Sequence, residues 1–288
     1  MPRIAVVIIT RDRPDDLERS LQRLTALPEQ PLIVVVDNCS TGNHLPVLRR
    51  DFPSVDFVSL PANGGAAART VGVRWAESDY VAFADDDSWW EPGSLERAVD
   101  LMEADPRIGL VAARVVVEPS GRVDPTSAQM AEGPLGPDLL ASSEGLRAVA
   151  GCMACGCVVR SRAYLSVGGF QPGMGVGGEE QMLVWDLWAA GWRALYASDV
   201  VAHHHPATSR DPSARRATVT RTDLWSTWAR LPVRSALNRT ASVLRAGSGD
   251  PRATARGAAR AVRRADWALS RRARLPAEVD RLRRQLGG

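Results

Sequence analysis

Over its first 110 residues the chain alternates short β-branched apolar runs with segments of helical period, and no other feature restricts its fold as strongly. Four runs stand out, at 3–9, 32–36, 55–60 and 80–84. Continuous apolar strands are buried on both faces, and strands that alternate with helices pair in parallel, so the pattern predicts a parallel sheet covered by helices. Between the first two runs, Pro14, Asp15 and Asp16 suit the first turn of a helix whose apolar face carries Leu17, Leu21, Leu24 and Leu27. A second helical segment, 65–77, opens in Asn63-Gly64-Gly65, where glycine permits close backbone approach beside a helix N-terminus. A third follows Pro92, with Leu95, Val99 and Met102 recurring.

In open α/β sheets ligands lie outside the carboxyl ends of the strands. Here those ends are Thr10-Arg11-Asp12-Arg13, Asp37-Asn38, Asn63-Gly64-Gly65 and Asp85-Asp86-Asp87, so four strands deliver polar groups to one edge. Such an edge offers acceptors for base and ribose hydroxyls, donors for phosphate oxygens and a seat for a cation. Three successive carboxylates repel one another unless a cation or hydrogen-bond donors offset the charge. Oxygen ligands suit Mg²⁺ or Mn²⁺, which takes one or two carboxylates and leaves the remaining positions to phosphate and water. A solvated acidic turn is the plain alternative.

Beyond residue 117 the pattern loosens into a Pro/Gly-rich stretch, 118–137, read as a surface loop or a lid. Order returns at 151–159, then in a helix over 179–190 closed by Gly191 and a strand at 193–197. Residues 1–210 carry 18 Arg against 27 acids, about −9, whereas 211–288 carry 18 Arg against 6 acids, about +12. This basic helical extension suits a solvated appendage, a membrane surface, another subunit or the acidic half of the chain itself. It contains no nucleic-acid module, and no nucleic-acid partner is expected. No apolar run approaches the roughly 18 residues needed to span a bilayer, and the amino terminus has no signal-like segment. A cytoplasmic location is expected, with a peripheral site at the inner face of the membrane open to it.

Of the four cysteines, Cys152, Cys155 and Cys157 are clustered and Cys39 is remote, which points to reduced thiols and core packing rather than a disulfide scaffold or closed zinc site. Trp185, Trp188 and Trp192 share a helix face better suited to the core than to sugar stacking. Trp89 and Trp90, next to the acidic motif, are placed either to line a donor sugar or to be buried.

The ordered set VVIITRDRP, VVVDNCS, NGGAAARTVG, YVAFADDDSWWEPGSL, VVRSRAYLSVGGF, GGEEQMLVWDLWAAGWR and VVAHHH, spanning residues 4 to about 205, resembles the GT-A-fold glycosyltransferases of family 2. The implied fold is a Rossmann-like, mainly parallel central sheet flanked by helices, with the Arg-rich helical extension added. Residues 1–110 would form the donor-binding half, 111–210 the acceptor-binding and catalytic half, and 211–288 the extension. The implied activity is inverting transfer of a sugar from a nucleoside diphosphate, UDP first and dTDP second, to an acceptor hydroxyl. By that resemblance Asp37 reads the base, Thr10 and Arg69 meet the nucleoside and its phosphates, Asp86 meets the ribose, and Asp87 holds Mn²⁺ or Mg²⁺. Arg13, Asn63, Gly65 and Asp85 complete the expected donor site. Glu180 is the expected base with Glu179 beside it, and His203, with His204 second, completes the metal shell. The chain departs from the family at Glu180, where aspartate is usual, at Met182, where another acid is frequent, and at Asp12, where asparagine is common. A catalytically silent nucleotide-sugar-binding scaffold is the second reading. A nucleotidyltransferase is the third, although Thr10 to Asp16 lacks the glycines of a triphosphate loop.

Overall fold

The computed structural model describes residues 3–133, 146–206 and 211–287. The first half runs β1 (Ile4–Thr10), α1 (Pro14–Thr25), β2 (Leu32–Asp37), α2 (Leu45–Asp51), β3 (Val55–Ser59), α3 (Ala68–Ala76), β4 (Tyr80–Asp85), β5 (Ser88–Trp90) and α4 (Ser94–Ala104). It continues through β6 (Ile108–Val117), β7 (Arg122–Val123), α5 (Pro125–Ala131), β8 (Arg147–Ala148), β9 (Cys157–Arg160), α6 (Ser161–Ser166), α7 (Glu180–Ala189) and β10 (Arg193–His204). The extension is α8 (Pro212–Arg230), α9 (Val233–Ala246), α10 (Pro251–Arg263), α11 (Ala265–Ser270) and α12 (Ala277–Gln285).

The strands form one sheet in the order β3-β2-β1-β4-β9-β6-β10-β5, with β7 on β6 and β8 on β10. Strands β3, β2, β1 and β4 are mutually parallel, as are β6 and β10, while β9 runs antiparallel between β4 and β6. The α/β fold is thus that of a Rossmann-like half joined to a mixed sheet. Alternate residues of β1 feed two cores: Ile4, Val6 and Ile8 meet Leu17, Leu21 and Leu24 of α1, and Ala5, Val7 and Ile9 share the other core with Ala68 and Val73 of α3. Helix α3 lies so close to β1 that a Cβ at Gly72 would stand 2.4 Å from Val7 Cγ1.

The expected loop at 118–137 contains β7 and α5, the latter capped by the Asp124 carboxylate, which accepts from Thr126 N at 2.7 Å. Its last part, from residue 134, lies outside the described residues. Strand β10 is longer than its predicted 193–197 because a register irregularity between Ala197 and Val201 lets it continue past the sheet centre to pair with β5.

The extension is not a solvated appendage. Met182 of α7 packs with Leu224, Trp225, Ala261 and Trp267, and Trp185 packs with Leu231, Leu275 and Val279. Arg230 forms a two-pronged ion pair with Asp186, its Nη2 at 2.9 Å from Oδ2. Trp267 Nε1 donates to Pro172 O at 2.8 Å, and Arg239 Nη2 to Gln181 Oε1 at 3.1 Å. No helix among the described residues is long and apolar enough to cross a membrane.

Candidate active site

Register alone gathers the polar strand ends: Thr10 lies opposite Asp37, and Ile9 opposite Asp85. Asp86, almost fully buried, accepts from Thr10 Oγ1 at 3.0 Å and from Arg13, and its carbonyl accepts from Ser20 Oγ at 2.9 Å. Burial, aided by Asp87 and Asp85 and opposed by Arg13, pushes the Asp86 carboxyl up to about 7. Asp87 is wholly buried, with Arg13 Nη2 3.0 Å from Oδ2 and His204 Nε2 3.4 Å from Oδ1. Its carbonyl accepts from His205 N at 2.8 Å, which ties the end of β10 to the acidic motif. Asp85 pairs with Arg69, and its backbone N donates to Ser88 Oγ at 2.7 Å.

On the β2 side, Asp37 accepts from Ser40 N at 3.2 Å and from Ser40 Oγ, and Asp12 accepts from Thr41 N at 2.6 Å. Asn38 bridges the strand ends to the glycine turn, donating to Gly65 O at 3.0 Å and accepting from Gly64 N at 2.9 Å. Asn63 shapes the same turn by accepting from Gly65 N at 2.8 Å. Gly65 has φ +59°, and a Cβ there would stand 2.8 Å from the Gly175 Cα, so only glycine fits. Ala66 N donates to Gly175 O at 3.1 Å, which fastens the turn to the glycine loop that leads into α7.

That loop delivers the acid pair. Glu179 is 2% exposed, accepts from Gly177 N, and holds Oε1 4.0 Å from Arg69 Nη1. Glu180 begins α7 and accepts from Ala154 N at 3.3 Å through Oε1. Burial raises both carboxyls above the ordinary glutamate range, and for Glu179 the neighbouring Glu180 adds to the effect. Arg69 is completely buried between Asp85 and Glu179, with its guanidinium 5.4 Å from the Phe170 ring centre. It is a link between the acidic motif and the acid pair, not a helix-surface arginine. One cavity of about 690 Å³ is lined by Arg69, Asp85, Glu179, Glu180 and His204 together.

One sequence reading needs correction. His203, first choice for the metal shell, projects from the opposite face of β10 to His204. Both its ring nitrogens are engaged, Nε2 at 2.6 Å from Glu91 and Nδ1 at 2.9 Å from Glu118, and its ring stacks on Trp89. Of the two placements open to Trp89 and Trp90, burial is the one observed, with Trp90 Nε1 donating to Phe83 O at 3.2 Å. Among the described residues no group of three His, Cys, Asp or Glu side chains could hold a metal alone. Asp87 and His204 are the pair placed to hold one with further ligands supplied by a substrate.

The sequence reading missed Ser20 and Ser40, each a neutral side chain bracing a carboxylate or turn, and also Arg215 of α8, which lines the cavity. Asn38, read only as a polar strand end, proves to shape the glycine turn. Arg215 was out of reach, since nothing local in sequence places α8 against α7.

Residues 5–168 match the family described as Glycosyl transferase family 2. The chain is 29% identical over 273 residues to the N-acetylglucosaminyl-diphospho-decaprenol L-rhamnosyltransferase of Mycobacterium tuberculosis, covering 80% of this chain and 88% of that protein. It is 32% identical over 225 residues to the pre-mycofactocin glycosyltransferase of the same organism, covering 74% of this chain but only 45% of that one. The fold matches a mannosyltransferase from Pyrobaculum calidifontis in complex with GDP-Man and Mn²⁺, with TM-score 0.59 and 20% identity over 99% of this chain and 85% of that one. The chain belongs to glycosyltransferase family 2, and it is a glycosyltransferase of GT-A fold.

Proposed function

We propose that the enzyme transfers a sugar, with inversion, from a UDP- or dTDP-linked donor to an acceptor hydroxyl, using Mn²⁺ or Mg²⁺ and a carboxylate base. The observation that carries this reading is the cavity that Asp85 of the acidic motif, His204 and the Glu179–Glu180 pair line together. Asp37 is assigned to the base, with Thr10, Arg13, Asn63, Gly65, Asp85 and Asp86 around the nucleoside and diphosphate. Asp87 and His204 fit a cation that takes few protein ligands and completes its shell with phosphate oxygens and water. When bound, that cation offsets the charge growing on the departing diphosphate.

Glu180 is the base in this scheme. It stands at the cavity wall, on a rigid helix, where it removes the acceptor proton as the oxygen attacks the anomeric carbon. Arg69 holds Asp85 and Glu179 in place from beneath, so both ends of the reaction share one buried cation. The acceptor is assigned to the class printed for the mycobacterial rhamnosyltransferase, a sugar on a polyprenyl diphosphate. Such an acceptor fits a peripheral position at the cytoplasmic face of a membrane, with residues 211–288 towards it.

The test is a thermal shift with UDP and dTDP sugars, with and without Mn²⁺, alongside a transfer assay. Metal-dependent stabilisation that disappears in Asp87→Asn is expected. Binding without turnover would favour the silent scaffold, and metal-independent binding unchanged by the substitution would overturn the proposal.

A further inference from the structure

The extension carries an apolar feature that the catalytic reading leaves unused. A groove of about 410 Å³ lies between α8, α9, α10 and α11, floored by Leu224, Trp225 and Trp228 and lipped by Leu244, Val262 and Leu269. Val262 is 75% exposed, Leu269 59% and Leu244 43%. Single exposed aliphatics are ordinary, but three on the lip of one groove form a patch. The floor has already spent its polar groups inward: Trp225 Nε1 donates to Ala261 O at 3.0 Å and Trp228 Nε1 to Thr240 Oγ1 at 3.2 Å.

Charge indicates what the patch meets. Residues 233–274 contain 11 Arg and only two acids, Asp250 and Asp266. Asp250 is committed to capping α10 through Ala253 N at 3.0 Å and to Ser213 at 2.6 Å. Arg245, Arg263 and Arg264, all exposed, follow the lip residues Leu244 and Val262 directly in sequence on α9, α10 and the link to α11. A second copy of this surface would bring the same positive charges together, and a nucleic acid would not reward three exposed aliphatic chains. An anionic bilayer rewards both features, since arginines are drawn to its negative surface and buried aliphatic carbon adds to the attraction.

We propose that this lip is the membrane-docking surface: Leu244, Val262 and Leu269 enter the boundary between head groups and acyl chains of a bilayer rich in anionic lipid, and Arg245, Arg263 and Arg264 engage its phosphates. The proposal rests on the membrane-facing orientation given above for residues 211–288 and names the residues that make the contact.

The experiment is co-sedimentation of the full chain with phosphatidylglycerol/phosphatidylcholine vesicles and with phosphatidylcholine vesicles alone. Wild type binds the anionic vesicles, loses binding with added salt, and binds the neutral ones at least about tenfold more weakly. L244S/V262S/L269S and R245Q/R263Q/R264Q each lose about tenfold or more on anionic vesicles, while their Mn²⁺-dependent nucleotide binding stays at the wild-type level, which shows that they are folded. Failure of wild type to bind anionic vesicles, or equal binding by both variants, overturns the proposal. So does vesicle-free self-association that the serine variant abolishes, which would make the patch an interface between copies. A wild type that docks on vesicles but shows no metal-dependent nucleotide binding would count against the donor reading and leave the docking surface standing.

Discussion

Glu180 sits where two demands conflict. A base must be ionised to accept a proton, yet burial raises its carboxyl above the ordinary glutamate value of about 4.3, with backbone donors and Arg69 pulling the other way. Below its pKa the group is protonated and cannot act, so kcat/KM is expected to climb with pH along an acid limb centred above the usual carboxylate range. Glu180→Gln is expected to lower kcat by at least about a hundredfold and to remove that limb while metal-dependent donor binding persists; a limb surviving in the variant would move the base elsewhere. Stability of the unliganded protein runs the opposite way. Asp86, Glu179 and Glu180 titrate higher in the folded than in the unfolded chain, so the folded state holds more protons between about pH 4 and 8, and stability declines as pH rises through that window. Thermal melts of the unliganded protein check the sign.

At the level of elements, α7 explains both what could be read from sequence and what could not. Leu183, Val184 and Leu187 face the sheet, whereas Met182 and Trp185 face the extension, so the helix is apolar nearly all the way round. Such a helix is covered on both sides. That signal was present in the sequence, and it identifies α7 as sandwiched without saying by what. The parallel strands were legible because β-branched runs such as Val34-Val35-Val36 leave no polar face to expose. Strands of two or three residues, β5, β7 and β8, carry no periodicity to detect, and the choice between His203 and His204 hinged on the irregularity in β10, which changes the strand's course just before them. The Arg230–Asp186 pair locks α8 to α7 with side chains only 9% and 13% exposed. Arg230→Ala would leave Asp186 buried without its partner, and a loss of about 3–5 kcal/mol is expected in chemical denaturation; a loss below about 1 kcal/mol would show that apolar packing alone holds the two helices together.

Across the whole molecule, the charge division visible in composition turns out to be partly internal, since Arg230 of the extension neutralises Asp186 of α7. Composition could announce the imbalance but not its destination, because that depends on contacts across 40 or more residues of sequence. Truncation after residue 206 would uncover Met182 and Trp185 and is expected to yield aggregating protein with strong binding of an apolar dye; a soluble, cooperatively melting fragment would show that the first 206 residues form an independent domain. Arg13 carries the same principle into the active site. Its guanidinium reaches Asp16, Asp86 and Asp87 at once, and so offsets the mutual repulsion of three acids. Removing that resident counter-ion would leave three neighbouring acids to force one another apart.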